Sequence, residues 1–157
     1  MTGTLGSLRV RENLTKFYKL DYVTIPTFLP KKFTEYEAIS AKSIQKWIEE
    51  IVEETKRMFQ QNRSVLVICN TIQDIQIIQK AFNDENYEEF RSENVVIYQR
   101  DYEEFNLDKL PPRKLIIASN LAGRGTDIKL TPELEKNGGL HVILTYLASN
   151  VRVENQA

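Results

Sequence analysis

An open α/β fold on a mainly parallel sheet is what this sequence predicts, and three observations carry the expectation. Two apolar runs, Ser64 to Cys69 and Leu115-Ile116-Ile117-Ala118, lack polar alternation, as strands covered on both faces do. Helical periodicity flanks the first run on both sides. Strands and helices then alternate along a chain of 157 residues, the size of one domain with a real core.

The elements follow in order. Tyr22 to Pro26 is a short β-like run, and Thr27-Phe28-Leu29-Pro30-Lys31-Lys32, broken by proline, reads as an extended connector. From Ser43 onward Ile44, Trp47, Ile48, Ile51, Val52, Met58 and Phe59 fall on one helical face, with Glu49, Glu50, Glu53, Glu54, Lys56 and Arg57 opposite. A strand from Ser64 to Cys69 and a helix from Ile72 to Phe82 come next. The stretch from Asn83 to Glu93, with Tyr87 and Phe90 among Glu and Asn, reads as a solvated helix end and loop. Val95-Val96-Ile97-Tyr98 is a strand, the segment from Asp101 to Pro112 is an acidic loop, and Leu115 opens another buried strand. Thr131-Pro132-Glu133 has a cap, a proline at the first helical position and an acid in the first turn, so a short helix starts there and stops at Asn137-Gly138-Gly139. Leu140 to Thr145 is the last strand. In an open parallel sheet ligands sit at the carboxyl ends of strands, so the loops after Cys69, Ala118 and Thr145 are where chemistry is expected.

Composition narrows the function. Twenty-one Lys and Arg against 22 Asp and Glu leave a formal net charge of -1, without a global pull toward nucleic acid or an anionic membrane. The apolar runs fall far short of the roughly 20 residues that cross a bilayer, and no basic-then-apolar leader opens the chain, so the expectation is a protein that is not secreted. Cys69 lies in an apolar strand and reads as a small buried hydrophobe. His141, the single histidine, reads as a hydrogen-bonded structural residue, and one His with one Cys excludes a zinc site of ordinary spacing, so no metal ligands are expected. Basic residues do not cluster with aromatics, so no single-stranded nucleic acid groove is expected.

The segment Asn120-Leu121-Ala122-Gly123-Arg124-Gly125-Thr126-Asp127-Ile128 directly follows a buried strand. Its glycines let backbone amides approach a phosphate, Arg124 adds a forked positive charge, and Asp127 can accept from a ribose hydroxyl. The bland reading is a glycine-bearing turn with a surface arginine. No stretch matches G-x-x-x-x-G-K-[ST], so the chain has no P-loop of its own and is not expected to bind ATP in that manner alone.

Taken in order, Met1-Thr2-Gly3-Thr4, Ile25-Pro26-Thr27, the segment from Asn120 to Leu130 and Gly138-Gly139-Leu140-His141-Val142-Ile143 resemble the SecA family of protein-translocating ATPases. The resemblance covers essentially the whole chain and is weakest between Asp84 and Arg113. It implies a RecA-like three-layer sandwich with a mainly parallel sheet. Residues 1–30 then correspond to the end of a first motor domain and a linker, and residues 31–157 to a second RecA-like, helicase C-terminal-like domain that stops before the last motif. In such a motor ATP lies between two halves. The first supplies the P-loop and the acids that hold Mg²⁺, and the second supplies an arginine, matched here by Arg124, that reads the γ phosphate.

The same resemblance makes Gly123, Gly125, Thr126 and Asp127 nucleotide-lining positions, and Thr2, Gly3 and Thr4 the element coupling nucleotide state to domain movement. The implied cofactors, ATP and Mg²⁺, belong to the intact parent. Lacking Walker A and Walker B, the fragment is expected to be inactive by itself. Implied partners are the first RecA-like domain of the parent, a preprotein and a membrane translocon, in the cytoplasm or an organelle stroma at the membrane periphery. Asn70-Thr71 falls where the family has glycine-threonine, and Thr145-Tyr146-Leu147-Ala148 where it has threonine-glutamate-arginine-histidine. Two alternatives stay open: a catalytically degenerate RecA-like binding or scaffold module, and half of a nucleic-acid helicase.

Overall fold

A computed structural model describes residues 8–21, 23, 32–84, 90, 93–98, 109–120 and 128–147. The chain divides into two units at Ser40 and Ala41. The first holds helix α1, Leu8–Tyr18, an element not expected from the motifs around it. Val10, Leu14, Phe17 and Tyr18 recur at helical spacing along it, yet none of its residues is buried. Most of the expected run from Tyr22 to Pro26, and of the connector after it, lies outside the described residues.

The second unit, Ala41–Leu147, carries the sheet. Helix α2, Ile44–Gln60, starts where Ser43 accepts a hydrogen bond from the Lys46 amide at 3.1 Å, satisfying an orphan N–H of the first turn. It buries Ile51, Val52, Thr55, Met58 and Phe59, and the Thr55 hydroxyl loses no bond on burial because it donates to the Ile51 carbonyl at 2.7 Å. Strand β1 is Val65–Cys69, helix α3 Ile72–Asp84, strand β2 Val95–Tyr98 and strand β3 Leu115–Ser119. Helix α4, Pro132–Lys136, and strand β4, His141–Leu144, complete the unit.

All pairings are parallel, in the order β2-β3-β1-β4. Leu66 stands opposite Ile116 and Val142, and Val67 opposite Ile117 and Ile143. Side chains alternate across the sheet, which sorts the core into two layers. Val65, Val67, Cys69, Leu115 and Ile117 pack with α2 and α3 through Ile51, Met58, Phe59, Ile75, Ile78 and Phe82. On the opposite face Ile116 packs with Leu110 and Leu134 of α4, flanked by Leu66, Val96, Ile128, Leu130 and Leu140. This is the α/β, RecA-like sandwich that the sequence predicts.

One sequence reading is overturned here. Phe90, placed by the pattern in a solvated stretch, is 4 % exposed. Its ring meets Phe82 at 4.6 Å and Phe59 at 5.6 Å between centroids, both edge to face. A lone aromatic among Glu and Asn gives no periodic signal, and tertiary packing decides its place.

The amino ends of the strands are tied down by side chains. Ser64 Oγ donates to the Pro111 carbonyl at 2.6 Å and accepts from the Lys114 amide at 3.0 Å, while Arg63 Nε donates to the Gly139 carbonyl at 3.1 Å. Helix α4 ends in a Schellman arrangement: the Gly139 amide reaches the Leu134 carbonyl at 2.8 Å and the Gly138 amide the Glu135 carbonyl at 3.2 Å. The φ angles of +103° at Gly138 and +77° at Gly139 explain why this turn into β4 takes two glycines.

Candidate functional site

The carboxyl ends of β1, β3 and β4 form a common edge, and each of the three loops expected to carry chemistry leaves from it. At the exit of β1, Thr71 caps α3. Its hydroxyl accepts from the Asp74 amide at 3.1 Å, and Asp74 Oδ2 accepts from the Thr71 amide at 2.9 Å. The reciprocal pair is a capping box with Asp in the acidic position, a spacing already present in the sequence but not singled out there. With both groups engaged, the α3 start is a fixed wall of the edge.

At the exit of β3 the Asn120 amide donates to the Cys69 carbonyl at 3.0 Å, and its side-chain amide lies 3.5 Å from Asn70 Oδ1. Asn120 is therefore held directly beside the β1 exit. Beyond the glycine-bearing stretch the chain is anchored again: the Leu110 amide donates to the Lys129 carbonyl at 2.7 Å, and the Thr131 amide to the Leu110 carbonyl at 3.0 Å. Ile128 and Leu130 pack on the apolar layer of that face. Both stems of the loop are thus fixed. Residues 121–127, and with them Gly123, Arg124, Gly125, Thr126 and Asp127, lie outside the described residues, as do Thr2, Gly3 and Thr4.

At the exit of β4, Thr145 continues the ladder by one step, its amide donating to the Ile68 carbonyl at 3.1 Å and its hydroxyl to the same oxygen at 3.0 Å. Trp47 Nε1 donates to the Thr145 carbonyl at 3.2 Å, so α2 braces this end of the sheet. The sequence pattern marks Trp47 only as an apolar face residue and gives no hint of this bond. An open hollow of about 380 Å³ lies beside the brace, lined by Ala41, Lys42, Ser43, Ile44, Trp47, Asp74 and Ile77. Its carboxylate, Asp74, is already committed to the cap.

Two titratable groups near the sheet are structural, in keeping with the sequence reading. Burial, with the Asp74 charge adding to it, pushes the Cys69 thiol up to about 12. A thiol held so far from ionisation is not a nucleophile at neutral pH. His141 is 7 % exposed, with Nε2 3.0 Å from Glu54 Oε1. Burial lowers its pKa, the Glu54 carboxylate raises it, and Arg63 and Arg57 lower it, leaving the imidazole below its ordinary value. Among the described residues no three His, Cys, Asp or Glu side chains gather as metal ligands, and no helix is long and apolar enough to cross a membrane.

No family model matches the chain. Individual relatives do. The chain is 28% identical over 159 residues to the protein translocase subunit SecA of Syntrophus aciditrophicus, covering 99% of this chain and 18% of that protein. It is 30% identical over 158 residues to SecA of Thermosipho africanus, with the same coverage of 99% and 18%. Protein translocase subunit SecA 2 of Rhodopirellula baltica is 30% identical over 158 residues, covering 99% of this chain and 23% of that protein. The chain thus spans less than a quarter of the length of these relatives.

Proposed function

From a chain that is SecA-like over 99% of its length, we propose a domain that completes the ATP site of a protein-translocating motor. It supplies Arg124 to a nucleotide whose phosphates and Mg²⁺ are held by another RecA-like half. One observation supports this above others. The Asn120 to Ile128 loop springs from β3, an inner strand of a parallel sheet, with Asn120 bonded to the β1 exit and Lys129 to Thr131 bonded to Leu110. With both stems anchored, the sequence that carries Arg124 leaves and rejoins the unit at the edge where open parallel sheets bind ligands.

In this reading Arg124 favours closure around the γ phosphate and stabilises charge on the transferring phosphoryl group. Gly123, Gly125 and Thr126 line the cleft, Asp127 takes the ribose, and Thr2, Gly3 and Thr4 carry the nucleotide state into domain movement. The groups present suit a supporting role, since among the described residues this edge brings the side chains of Asn70, Thr71 and Asn120 together and gathers no carboxylates for Mg²⁺. Residues 1–30 belong with the preceding motor domain and residues 31–157 with this one. The partners are that first RecA-like domain, a preprotein and a membrane translocon, with the protein on the cytoplasmic or stromal side of a membrane.

The test is ATP hydrolysis by the full-length protein, wild type against Arg124→Ala, with nucleotide affinity measured in parallel. Hydrolysis is expected to fall by about two orders of magnitude or more while binding persists, as loss of an arginine finger does. A second reading, a binding module that kept the fold and lost the cycle, is favoured by one observation. The β4 exit reads Thr145-Tyr146-Leu147-Ala148 in place of the charged sequence usual in SecA. Absence of hydrolysis in the wild type decides for that module.

A further inference from the structure

Helix α1, Leu8–Tyr18, takes no part in the site described above, yet it carries an apolar stripe that stands largely in solvent. At 3.6 residues per turn Val10, Leu14, Phe17 and Tyr18 fall within an arc of about 100°, the width of a core-facing stripe, while Arg9, Glu12, Asn13, Thr15 and Lys16 fall outside it. None of these residues is buried, and Phe17 is 73 % exposed, Tyr18 70 % and Val10 43 %. An isolated helix shorter than about 12 residues is marginal in water, and helices of that length persist by packing an amphipathic face. α1 has 11 residues, so its stripe is the part of it that calls for a covering surface.

We propose that this stripe docks on the preceding motor domain of the same polypeptide, with Phe17 and Tyr18 as its anchors in an apolar groove of that domain. The proposal rests on the assignment of residues 1–30 under Proposed function and adds to it the side chains that make the contact. Two observations select this occupant. The stripe is about 16 Å long and 10 Å wide, on the order of 200 Å², far below the roughly 800 Å² per partner of a free-standing interface. A second copy of the chain therefore gains too little from it, whereas a domain joined through the same backbone meets it at high effective concentration. The matched stretch is also less than a quarter of the SecA relatives, so proteins of this kind carry ample further chain to supply the groove. The contact is apolar in character: two rings and two aliphatic side chains face the groove, and Arg9 and Lys16 stay on the solvent side.

Photo-cross-linking in the full-length protein tests this. The photoreactive analogue p-benzoylphenylalanine replaces Phe17 in one variant and Thr15 in a second, two residues away and about 200° around the helix. Illumination, with and without anionic phospholipid vesicles, is followed by peptide mapping of the products. The position-17 probe is expected to link to sequence preceding Met1 in the same molecule, with a yield several-fold above that of the position-15 probe and unchanged by vesicles. A link to residues 41–147, to a second molecule or to lipid overturns the proposal, as does equal linking from both positions or none from position 17. ATP hydrolysis by the unmodified protein keeps this result apart from the motor reading. Hydrolysis without the position-17 link removes the docking contact alone, and the link without hydrolysis removes the motor reading and leaves the contact.

Discussion

Replacing Phe90 by alanine separates the sequence reading of its segment from the structural one. If Phe90 sat in a solvated loop, truncation would change stability by no more than about 0.5 kcal/mol, as surface substitutions do. The structure instead puts it at 4 % exposure between two rings that are themselves buried, Phe59 at 0 % and Phe82 at 1 %. Phe→Ala at such a site costs about 3–5 kcal/mol, combining lost transfer energy with the cavity left behind. The two edge-to-face contacts, worth about 0.5–1.5 kcal/mol each, account for part of that sum and are not additional to it. Equilibrium urea unfolding followed by circular dichroism is the assay. With a slope of about 1.5 kcal/mol per molar for a unit of this size, the midpoint is expected to fall by roughly 2–3 M with the slope unchanged. Phe90→Leu, which keeps most of the volume and loses the ring geometry, is expected to lose about a third as much. A midpoint shift in Phe90→Ala below about 0.3 M would refute the packing and restore the solvated reading.

Two further outcomes follow from the titratable groups. His141 has a folded pKa below its ordinary value of 6.5, so between those two values the unfolded chain binds more protons than the folded one. Stability is then complete above 6.5 and falls as the pH drops toward the folded value, with a slope of at most about 1.4 kcal/mol per pH unit from this residue. His141→Gln, whose amide can still donate to Glu54, is expected to flatten that slope in denaturation curves between pH 7 and 5, and an identical slope in both proteins would remove His141 as its origin. With its thiol at about 12 and no exposed surface, Cys69 holds only about one part in ten thousand thiolate at pH 8. A thiol reagent is expected to label it in denaturant and, in native buffer, only as fast as the protein opens; complete native labelling within seconds would contradict the burial.

Legibility in the sequence tracked how local the determinant was. Helix α2, the two buried strands β1 and β3, and the α4 start at Thr131-Pro132 all depend on periodicity or capping within a few residues, and all stand where the pattern predicts. Strand order does not. Nothing in the spacing of the runs says that β3 slots between β1 and β2, because that choice is made by burial of the whole sheet. Phe90 was hidden for the same reason, its partners lying 8 and 31 residues away in sequence. Helix α1 is the reverse case: Val10, Leu14, Phe17 and Tyr18 recur at helical spacing, yet none of its residues is buried, so its pattern marks no core. At the site, the three loops were placed by the rule that parallel sheets bind ligands at their carboxyl ends. The brace from Trp47 to Thr145 required the structure, as did the Tyr146 hydroxyl, closed to solvent with no hydrogen-bond partner among the described residues, since neither residue type announces its surroundings.

The two ends of this sheet are built differently, and the difference bears on where activity resides. At the amino ends Arg63, Ser64 and Lys114 lock turns to neighbouring strands, and the paired glycines at 138 and 139 close α4 against β4. Those contacts are satisfied within the unit and serve stability. At the carboxyl ends Thr71, Asp74, Asn120 and Thr145 fix only the roots of loops, and the Tyr146 hydroxyl is left without a partner. That asymmetry is in keeping with the proposed nucleotide site at the second edge, where open parallel sheets bind ligands. Arg124→Ala separates the two proposed readings: a motor half loses turnover, whereas a degenerate module has none to lose.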